Sequence, residues 1–401
     1  MHEFTTRRYP PRANSTAGGD SVSAKCVTLE KKSLLGRAER HQYSAAVKEA
    51  NSSMGELRVQ SAESSGESLP FSGRILITGG AGFLGRHLCA ALVRGGCEVT
   101  VLDDLSAEGS SFEHAELRSS AVRLIRDTTN HTSLLRELIS THQGVVHFAS
   151  VVGVEHTMAN PIPTIQNLTG TIALAQALTS DHFVLFASSA DVYGLHSHVY
   201  THPMHEDDLL VLDSSPSDRW TYARVKSLEE SLIMRSPGRS AIARVFNSYG
   251  PRMDYQGPKR LIPQIVDALF RREPLQISGD GSQRRALCFV DDSVRCLELA
   301  LRHAYAQRPP YSVTINAGHD ETRSVLEIAK LTAQAALDEK LIEREPEVLL
   351  NAKLYSREFD DTWHRVPDLS RARKLLGFRA AVPFADGIRR TLLAEAAMRS
   401  A

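Results

Sequence analysis

The sequence predicts an α/β fold, in which a doubly wound parallel sheet is followed by a smaller C-terminal α/β lobe. Short apolar runs of strand length alternate with segments of helical periodicity over the middle of the chain. Fully apolar strands are typical of a parallel sheet that helices cover on both faces. The 401 residues, 42% hydrophobic and 23% charged, are ordinary globular usage and suffice for more than one such unit.

The predicted strands and helices follow one another in the order that a parallel sheet requires. The first strand, Ile75–Ile77, ends in a glycine-rich turn, and the helix after it runs from Phe83 to Val93 and ends at Gly95 and Gly96. Five more strands are predicted at Val99–Leu102, Val122–Ile125, Val145–Phe148, Phe183–Phe186 and Ala241–Val245. Helices between them are predicted at Thr132–Ser140 and Pro163–Thr179.

Composition divides the chain into three parts. Residues 1–70 are rich in Ser, Arg, Glu and Ala and poor in β-branched and aromatic residues, which predicts a disordered tail; an organelle-targeting peptide is the less favoured alternative. Residues 71–246 contain the alternating strands and helices. From residue 247 to residue 401 Pro and Gly are denser and the elements shorten, which predicts a C-terminal lobe interleaved with the end of the sheet.

Charge and cysteine content argue against several classes of function. The 47 basic and 47 acidic residues give a formal net charge of +0, so no bulk basic surplus points to nucleic acid or to a membrane surface. No apolar run approaches the roughly 20 residues that a membrane span needs. The five cysteines are scattered without a C-x-x-C pair, which favours reduced thiols and a cytoplasmic protein.

The turn after the first strand has the pattern of a phosphate-binding loop. Thr78–Gly85 reads T-G-G-A-G-F-L-G; glycines let the backbone approach a pyrophosphate, and the helix N-terminus offers free N–H groups. Between a strand and a helix, this is the dinucleotide-binding turn of a Rossmann fold. The residues that we expect to contact the cofactor there are Gly79, Gly82, Phe83, Leu84 and Gly85.

Acidic residues after the next two strands indicate which dinucleotide binds. Asp103 ends the second strand about 20 residues beyond the loop, where a carboxylate accepts hydrogen bonds from the ribose hydroxyls. The same carboxylate would repel a 2′-phosphate, so the expected cofactor is NAD rather than NADP. Asp127, after the third strand, is expected to contact the adenine, with a plain turn aspartate as the alternative.

Tyr222 and Lys226 lie four residues apart at the start of a predicted helix, so their side chains share one face. A neighbouring ammonium stabilises phenolate and is expected to lower the pKa of Tyr222 toward neutrality. Tyr222 then accepts a proton from a substrate hydroxyl while the hydride leaves for the nicotinamide. Ser189, past the fifth strand, would share the same substrate oxygen, and Tyr222 and Lys226 would also contact the cofactor.

Together these motifs resemble the extended short-chain dehydrogenase/reductase superfamily, in its NAD-dependent epimerase/dehydratase branch that acts on nucleotide sugars. The resemblance covers the chain from about Arg74 to Leu393. Besides the glycine loop and the tyrosine–lysine pair, it rests on Phe246–Arg252, Gly279–Asp292 and Pro367–Gly377. The last segments are most similar to those of UDP-sugar 4-epimerases and UDP-glucuronate decarboxylases.

The resemblance implies substrate contacts and a partner. Asn247 and Arg285 would hold the diphosphate of a UDP-linked sugar, since guanidinium matches phosphate geometry. Arg252 is a weaker candidate, with a solvated surface arginine as its alternative. Relatives pair through two helices, predicted here at Pro163–Thr179 and Thr221–Met234, so a homodimer is expected.

The residues after the fifth strand bear on the reaction that follows the C4 oxidation common to this branch. Ala190 cannot protonate a leaving hydroxyl, which disfavours 4,6-dehydration. Ser189 and Ala190 are similar to the uncharged pair of UDP-sugar 4-epimerases. Asp191 is similar to the carboxylate of UDP-glucuronate decarboxylases, and it is either an acid/base near C5 of the sugar or a loop carboxylate paired with an arginine. We favour 4-epimerisation, with decarboxylation as the alternative.

Two further interpretations complete the prediction. Four histidines at 196, 198, 202 and 205 precede three acidic residues, but their spacing fits no zinc pattern, so no metal is expected. A non-catalytic dinucleotide sensor on the same scaffold is a further alternative to an enzyme. Such proteins often lose the tyrosine or the lysine, and Tyr222 and Lys226 are both present.

Overall fold

A computed structural model describes residues 70–107, 109–212, 218–253, 260–352 and 362–400. The tail predicted at residues 1–70 lies outside these residues, apart from its last position. Within them, no helix combines the length and the apolar character that crossing a membrane requires. The described residues form the predicted α/β architecture, with a parallel main sheet and smaller sheets toward the C-terminus.

Strands and helices alternate through the first two thirds of the chain. In chain order, the strands are β1 (Arg74–Thr78), β2 (Glu98–Asp103), β3 (Val122–Arg126), β4 (Gly144–His147), β5 (Phe183–Ser189), β6 (Arg239–Val245), β7 (Ser248–Tyr249), β8 (Leu275–Gln276), β9 (Arg284–Ala286), β10 (Cys288–Phe289), β11 (Tyr311–Ala317), β12 (Thr322–Ser324), β13 (Val348–Leu349) and β14 (His364–Arg365). The helices are α1 (Phe83–Arg94), α2 (Thr132–Ser140), α3 (Val154–Ala159), α4 (Ile162–Ala177), α5 (Thr221–Met234), α6 (Leu261–Arg271), α7 (Val290–Tyr305), α8 (Val325–Asp338), α9 (Ser370–Leu376) and α10 (Phe384–Ser400).

Seven of these strands form the main sheet in the order β11-β6-β5-β4-β1-β2-β3, and all of its neighbouring strands are parallel. The strand order reverses between β1 and β4. In sheets of this kind, ligands bind in the crevice outside the carboxyl ends of the strands at that reversal. The topology therefore places the glycine-rich turn after β1 at the expected ligand site.

Side-chain alternation along the strands builds a separate core on each face of the sheet. On β1, Ile75 and Ile77 face the core that α1 and α7 cover, whereas Leu76 faces the core covered by α2, α4 and α5. All three side chains are fully buried. Burial on both faces explains why the strands read as continuous apolar runs.

Each of the six predicted strands is present, and a seventh comes from the C-terminal part of the chain. Strand β11 pairs with β6 from Tyr311 opposite Arg239 to Ala317 opposite Val245. The chain thus returns to the main sheet after leaving it.

The helix ends follow local sequence signals. Helix α1 ends at Gly95, and Gly96 adopts φ 91°, which favours glycine. Helix α8 begins with a capping box, in which Ser324 Oγ accepts the backbone N–H of Glu327 and Glu327 Oε2 accepts the backbone N–H of Ser324.

We predict that Leu185→Ala lowers the free energy of unfolding by about 2–5 kcal/mol, because it removes a fully buried side chain from a central strand and leaves a cavity. Urea denaturation followed by circular dichroism measures this change. The matched control is Leu209→Ala, at a side chain that is 70% exposed, and we expect it to change stability by less than about 0.5 kcal/mol. Equal effects of the two variants would contradict the described core.

Candidate active site

The loop between β1 and α1 is closed tightly by two glycines. Gly79 has φ 69°, and a Cβ there would lie 2.5 Å from the backbone nitrogen of Ala149. A Cβ on Gly85 would lie 2.3 Å from the carbonyl oxygen of Gly79. Only glycine fits at either position, so the loop passes close to the end of β4 and the first turn of α1 opens toward the crevice.

Asp103, the last residue of β2, connects the glycine loop to its own strand. Its Oδ2 accepts the backbone N–H of Ala81 at 2.9 Å, and its Oδ1 accepts that of Leu105 at 2.9 Å. Burial is the largest influence on this carboxyl and raises the pKa of Asp103 above its usual value. Each oxygen keeps a further lone pair for a ligand hydroxyl.

Asp127 lies after β3 at the edge of the same crevice. Its carboxylate accepts the backbone N–H of Thr128 at 2.7 Å and lies 2.9 Å from His131 Nδ1. The hydrogen bond from His131 lowers the pKa of Asp127. Asp127 is therefore both a turn aspartate, as the alternative interpretation had it, and a residue of the crevice wall.

A single cavity of about 1190 Å³ runs from the glycine loop to the C-terminal part of the chain. This exceeds the usual size of a pocket for one drug-sized ligand. Thirteen of the residues predicted from the sequence line it: Gly79, Gly82, Phe83, Leu84, Gly85, Asp103, Asp127, Ser189, Asp191, Tyr222, Lys226, Asn247 and Arg285.

Arg252 is the predicted substrate residue that does not line this cavity. Its Nη1 lies 2.7 Å from Glu116 Oε1, and its carbonyl oxygen accepts a hydrogen bond from Arg86. These contacts hold the Arg252 guanidinium beside Glu116, outside the cavity. The structure places Arg252 in the surface role that was its alternative, and we do not carry it into the substrate site.

Asn247 and Arg285 also line the cavity, Asn247 just after β6 and Arg285 on β9. Arg285 is buried on β9, and its Nη1 donates to the carbonyl oxygens of Arg284 and Thr362 at 2.9 and 2.8 Å. These backbone contacts fix the guanidinium plane. A fixed guanidinium is suited to an anionic group, because little side-chain freedom is lost on binding.

Tyr222, Lys226 and Ser189 converge in the middle of the cavity. Tyr222 lies in the first turn of α5, and its phenol hydrogen-bonds with the Ser189 side chain at the end of β5. Lys226 Nζ is 5.9 Å from the centre of the Tyr222 ring and 4.8 Å from that of Phe186. The predicted catalytic triplet is therefore assembled in one place.

A buried carboxylate that we did not predict lies beneath this triplet. Glu229 is fully buried, and its Oε2 is 3.0 Å from Lys226 Nζ. Its Oε1 accepts the hydroxyl of Thr171 at 2.7 Å. The spacing of three residues on one helix brings Lys226 and Glu229 to the same face, which is the signal that could have revealed the pair.

The contacts continue from Glu229 to the glycine loop. Thr171 Oγ1 lies 3.2 Å from His147 Nε2, and His147 Nδ1 lies 2.8 Å from Thr78 Oγ1. Burial lowers the pKa of His147 to about 4, so its ring is neutral at physiological pH. A continuous line of polar side chains thus joins Lys226 to Thr78, the last residue of β1.

The expected lowering of the Tyr222 pKa does not hold in this structure. Burial is the largest influence and raises the pKa of Tyr222; Lys226 lowers it, but Asp191 and Glu229 raise it again. For Lys226, burial alone would lower the pKa, yet Glu229 and Tyr222 more than offset this and the pKa is raised. The carboxylate of Glu229 therefore weakens the effect of the ammonium on the phenol.

Asp191 is held between two arginines that sequence reasoning missed. Its Oδ1 lies 2.8 Å from Arg365 Nη2 and 3.6 Å from Arg219 Nη2. Burial would raise the pKa of Asp191, but these two guanidiniums more than offset it and the pKa is lowered. The structure thus supports the interpretation of Asp191 as a paired loop carboxylate, since an ionised carboxylate is a poor proton donor.

Arg219 and Arg365 both line the cavity close to Tyr222. Arg219 precedes α5, and its guanidinium stacks 4.3 Å from the Trp220 ring centre. Arg365 is on β14, and this strand pairs with β9 although the two strands are far apart in the sequence. The two guanidiniums and the Asp191 carboxylate thus form one cluster of charged groups in the cavity wall.

Residues 75–318 match the model of a protein family described as the NAD dependent epimerase/dehydratase family. The chain belongs to this family. It is therefore an enzyme of the NAD-dependent epimerase, decarboxylase and dehydratase class that modifies nucleotide sugars. The non-catalytic sensor considered from the sequence is not supported.

Relatives within the family match about four fifths of the chain. The protein is 32% identical over 324 residues to a UDP-N-acetyl-alpha-D-glucosaminuronate decarboxylase of Bacillus cytotoxicus, covering 80% of this chain and 96% of the relative. It is 31% identical over 326 residues to UDP-glucuronic acid decarboxylase 1 of Danio rerio, covering 80% and 72%. The fold matches that of UDP-glucuronic acid 4-epimerase from Bacillus cereus, with a TM-score of 0.68, 23% identity, and coverage of 82% and 100%.

The chemistry of the crevice fits the NAD of this family. The first turn of α1 supplies backbone N–H donors for a pyrophosphate, and Asp103 supplies acceptors for ribose hydroxyls. The phenol of Tyr222 and the ammonium of Lys226 stand on the same cavity wall. Bound there, NAD would supply a hydride acceptor next to Tyr222.

We predict that Glu229→Gln lowers the free energy of unfolding by about 3–5 kcal/mol, because it leaves the buried ammonium of Lys226 without the carboxylate that lies 3.0 Å away. Urea denaturation followed by circular dichroism measures this change.

Glu137→Gln is the matched control, because it removes an exposed carboxylate from α2. We expect this variant to change the free energy of unfolding by less than about 0.5 kcal/mol. Unchanged stability of the Glu229→Gln protein would contradict the assigned buried charge pair.

Proposed function

We propose that this protein decarboxylates a UDP-linked uronic acid after transient oxidation at C4 of the sugar. The observation that carries the proposal is the placement of Arg219 and Arg365 beside Tyr222, with Asp191 as their shared carboxylate. Guanidinium groups suit a sugar that bears a carboxylate, because their donors match the two carboxylate oxygens. The curated relatives named above are decarboxylases of such sugars, which supports the proposal.

In this proposal the cavity binds two ligands end to end. The part of the chain from residue 71 to 246 binds NAD through the glycine loop, Asp103 and Asp127. The part from residue 247 to 401 binds the nucleotide sugar, with Asn247 and Arg285 at its diphosphate. The position of these residues along one cavity supports the division.

The first step belongs to Tyr222. As a phenolate it accepts the proton of the C4 hydroxyl, while Ser189 donates a hydrogen bond to the same oxygen and C4 becomes a ketone. Lys226, held in its ionised form by Glu229, favours the phenolate. When bound, NAD supplies the hydride acceptor for this step and returns the hydride to C4 at the end.

The second step is the loss of CO₂, and it needs few further side chains. The C6 carboxylate of the oxidised uronic acid is β to the C4 ketone, so the C5–C6 bond breaks, CO₂ leaves and the electron pair forms an enolate. Tyr222, now protonated, donates a hydrogen bond to the enolate oxygen. The arginines position the carboxylate before it leaves, and a proton from water then adds to C5.

The 4-epimerisation favoured by the sequence motifs remains the second candidate. It is supported by the uncharged pair Ser189 and Ala190, and Ala190 is buried at the start of the short helical turn after β5. In that reaction the ketone rotates and the hydride returns to the opposite face. The curated relatives favour decarboxylation over it.

We expect UDP-glucuronate or its N-acetylglucosaminuronate counterpart to be converted with release of CO₂, detected by chromatography and mass spectrometry of the nucleotide sugar. Tyr222→Phe should reduce kcat by about 10²- to 10⁴-fold, the usual effect of losing a general base. Tyr311→Phe, which lies outside the cavity, is the control and should retain activity. A product of unchanged mass would support the 4-epimerase instead, and full activity of Tyr222→Phe would overturn the assigned base.

We also propose that the protein is a homodimer formed through α4 and α5. Apolar side chains on these helices face outward, among them Ile165 and Ile172 on α4 and Leu228 and Met234 on α5. Leu168, Ile172, Leu228 and Leu232 line a shallow apolar groove between the helices. In the proposed dimer this apolar patch packs against the same patch of a second copy of the chain, as in a two-fold symmetric interface.

We predict that Leu228→Glu converts the dimer into a monomer, because it places a carboxylate at the centre of this patch, where the wild-type side chain is 56% exposed. Sedimentation or light scattering of the eluted protein measures the mass. Leu331→Glu, on the exposed face of α8, is the control and should remain dimeric. A monomeric wild-type protein would refute the proposed interface.

The cysteines support the cytoplasmic location that the sequence favoured. Cys89, Cys97, Cys288 and Cys296 are free and buried, as suits a reducing compartment. We propose this location, and fractionation of the source cells tests it directly: recovery in an oxidising compartment would contradict it.

A further inference from the structure

A loop beside the active site brings two imidazoles to one carboxylate. His196 Nε2 lies 2.8 Å from Asp208 Oδ2, and His202 Nε2 lies 3.1 Å from both Asp208 oxygens. One ligand atom from each of the three residues falls within 4.8 Å of the others, the only such group of three found among the described residues. None of the three takes part in the proposed reaction.

We propose that His196, His202 and Asp208 form a site for one divalent transition-metal ion, with Zn²⁺ as the best match. Two imidazole nitrogens and a carboxylate are a ligand set that Zn²⁺ accepts, at about 2.0–2.2 Å each. Tetrahedral ligands at those lengths are about 3.3 Å apart. The distances from Asp208 to the two imidazole nitrogens, 2.8 and 3.1 Å, are within about half an ångström of that spacing. A water molecule would complete the coordination.

The three ligands are held in place before any ion binds. Asp208 Oδ2 also accepts the backbone N–H of His205 at 2.8 Å, which fixes the carboxylate. The His196 side chain is only 2% exposed, and its ring packs 4.6 Å from that of Tyr200. The ring of His202 lies 5.0 Å from the same tyrosine. Such positioning lowers the entropy that ordering the ligands would cost.

The spacing along the chain hid this site from sequence reasoning. The ligands lie six residues apart, at positions 196, 202 and 208, which matches no zinc motif. The loop closes because Leu195 donates its backbone N–H to the carbonyl oxygen of Val211 at 2.7 Å. The two ends of the histidine-rich segment are thereby brought together.

An ion at this site would stabilise the segment that presents Arg365 to the cavity. Met204, inside the loop, donates its backbone N–H to the carbonyl oxygen of Val366 at 2.8 Å and accepts that of Asp368 at 2.8 Å. Val366 directly follows Arg365. The metal would therefore act as a structural clip for one wall of the active site, rather than as a reactant.

The experiment measures metal binding by the full-length, untagged protein after treatment with EDTA and removal of the chelator. Titration with Zn²⁺ by calorimetry, and with Co²⁺ by visible absorbance, should show one bound ion with nitrogen and oxygen ligands. His202→Ala removes a ligand whose side chain is 50% exposed, so folding is preserved. We expect it to weaken binding at least about tenfold.

Asp208→Asn provides a second test of the same ligands, and His198→Ala is the matched control. His198 is an exposed histidine of the same loop outside the cluster, and its variant should bind the ion as the unmodified protein does. Absence of a stoichiometric site in the unmodified protein would overturn the proposal, because the three side chains would then form only a hydrogen-bonded network. Wild-type affinity in both ligand variants would overturn it as well. Neither outcome depends on which sugar the enzyme converts.

Discussion

The buried pair of Lys226 and Glu229 is the interaction on which the rest of the site depends. The ammonium and the carboxylate are 3.0 Å apart, and both are buried. Removing one partner leaves the other charge buried and unpaired, which lowers the stability of a protein by about 3–5 kcal/mol. Through Thr171 and His147 the same pair reaches Thr78 at the start of the glycine loop. One line of contacts therefore joins α5, which carries Tyr222 and Lys226, to the glycine loop.

The parts of this arrangement that local sequence determines could be predicted. The strands are apolar because both faces are covered, the glycine loop has a fixed place after β1, and Tyr222 and Lys226 share a helix face by spacing alone. These signals span a few residues each.

The parts that remained hidden depend on residues far apart in the chain. Asp191 and Arg365 are 174 positions apart and meet only because β14 pairs with β9. The raised pKa of Tyr222 follows from burial and from Asp191 and Glu229, none of which a tyrosine–lysine spacing reveals. The choice between decarboxylation and epimerisation is hard to predict for the same reason. In our proposal both reactions begin with the same proton transfer, and the later steps depend on side chains of the cavity wall that are far apart in the sequence.

The position of β11 in the main sheet affects how the chain folds while it is being synthesised. It is the last strand of the main sheet to be synthesised, and it covers the edge of β6. Until residue 317 has left the ribosome, the backbone N–H and C=O groups along that edge are unpaired. An unpaired strand edge is a template for pairing with another chain. The cofactor-binding half therefore cannot finish folding ahead of the half that follows it, and a gene cut at residue 246 would encode a sheet with an open side.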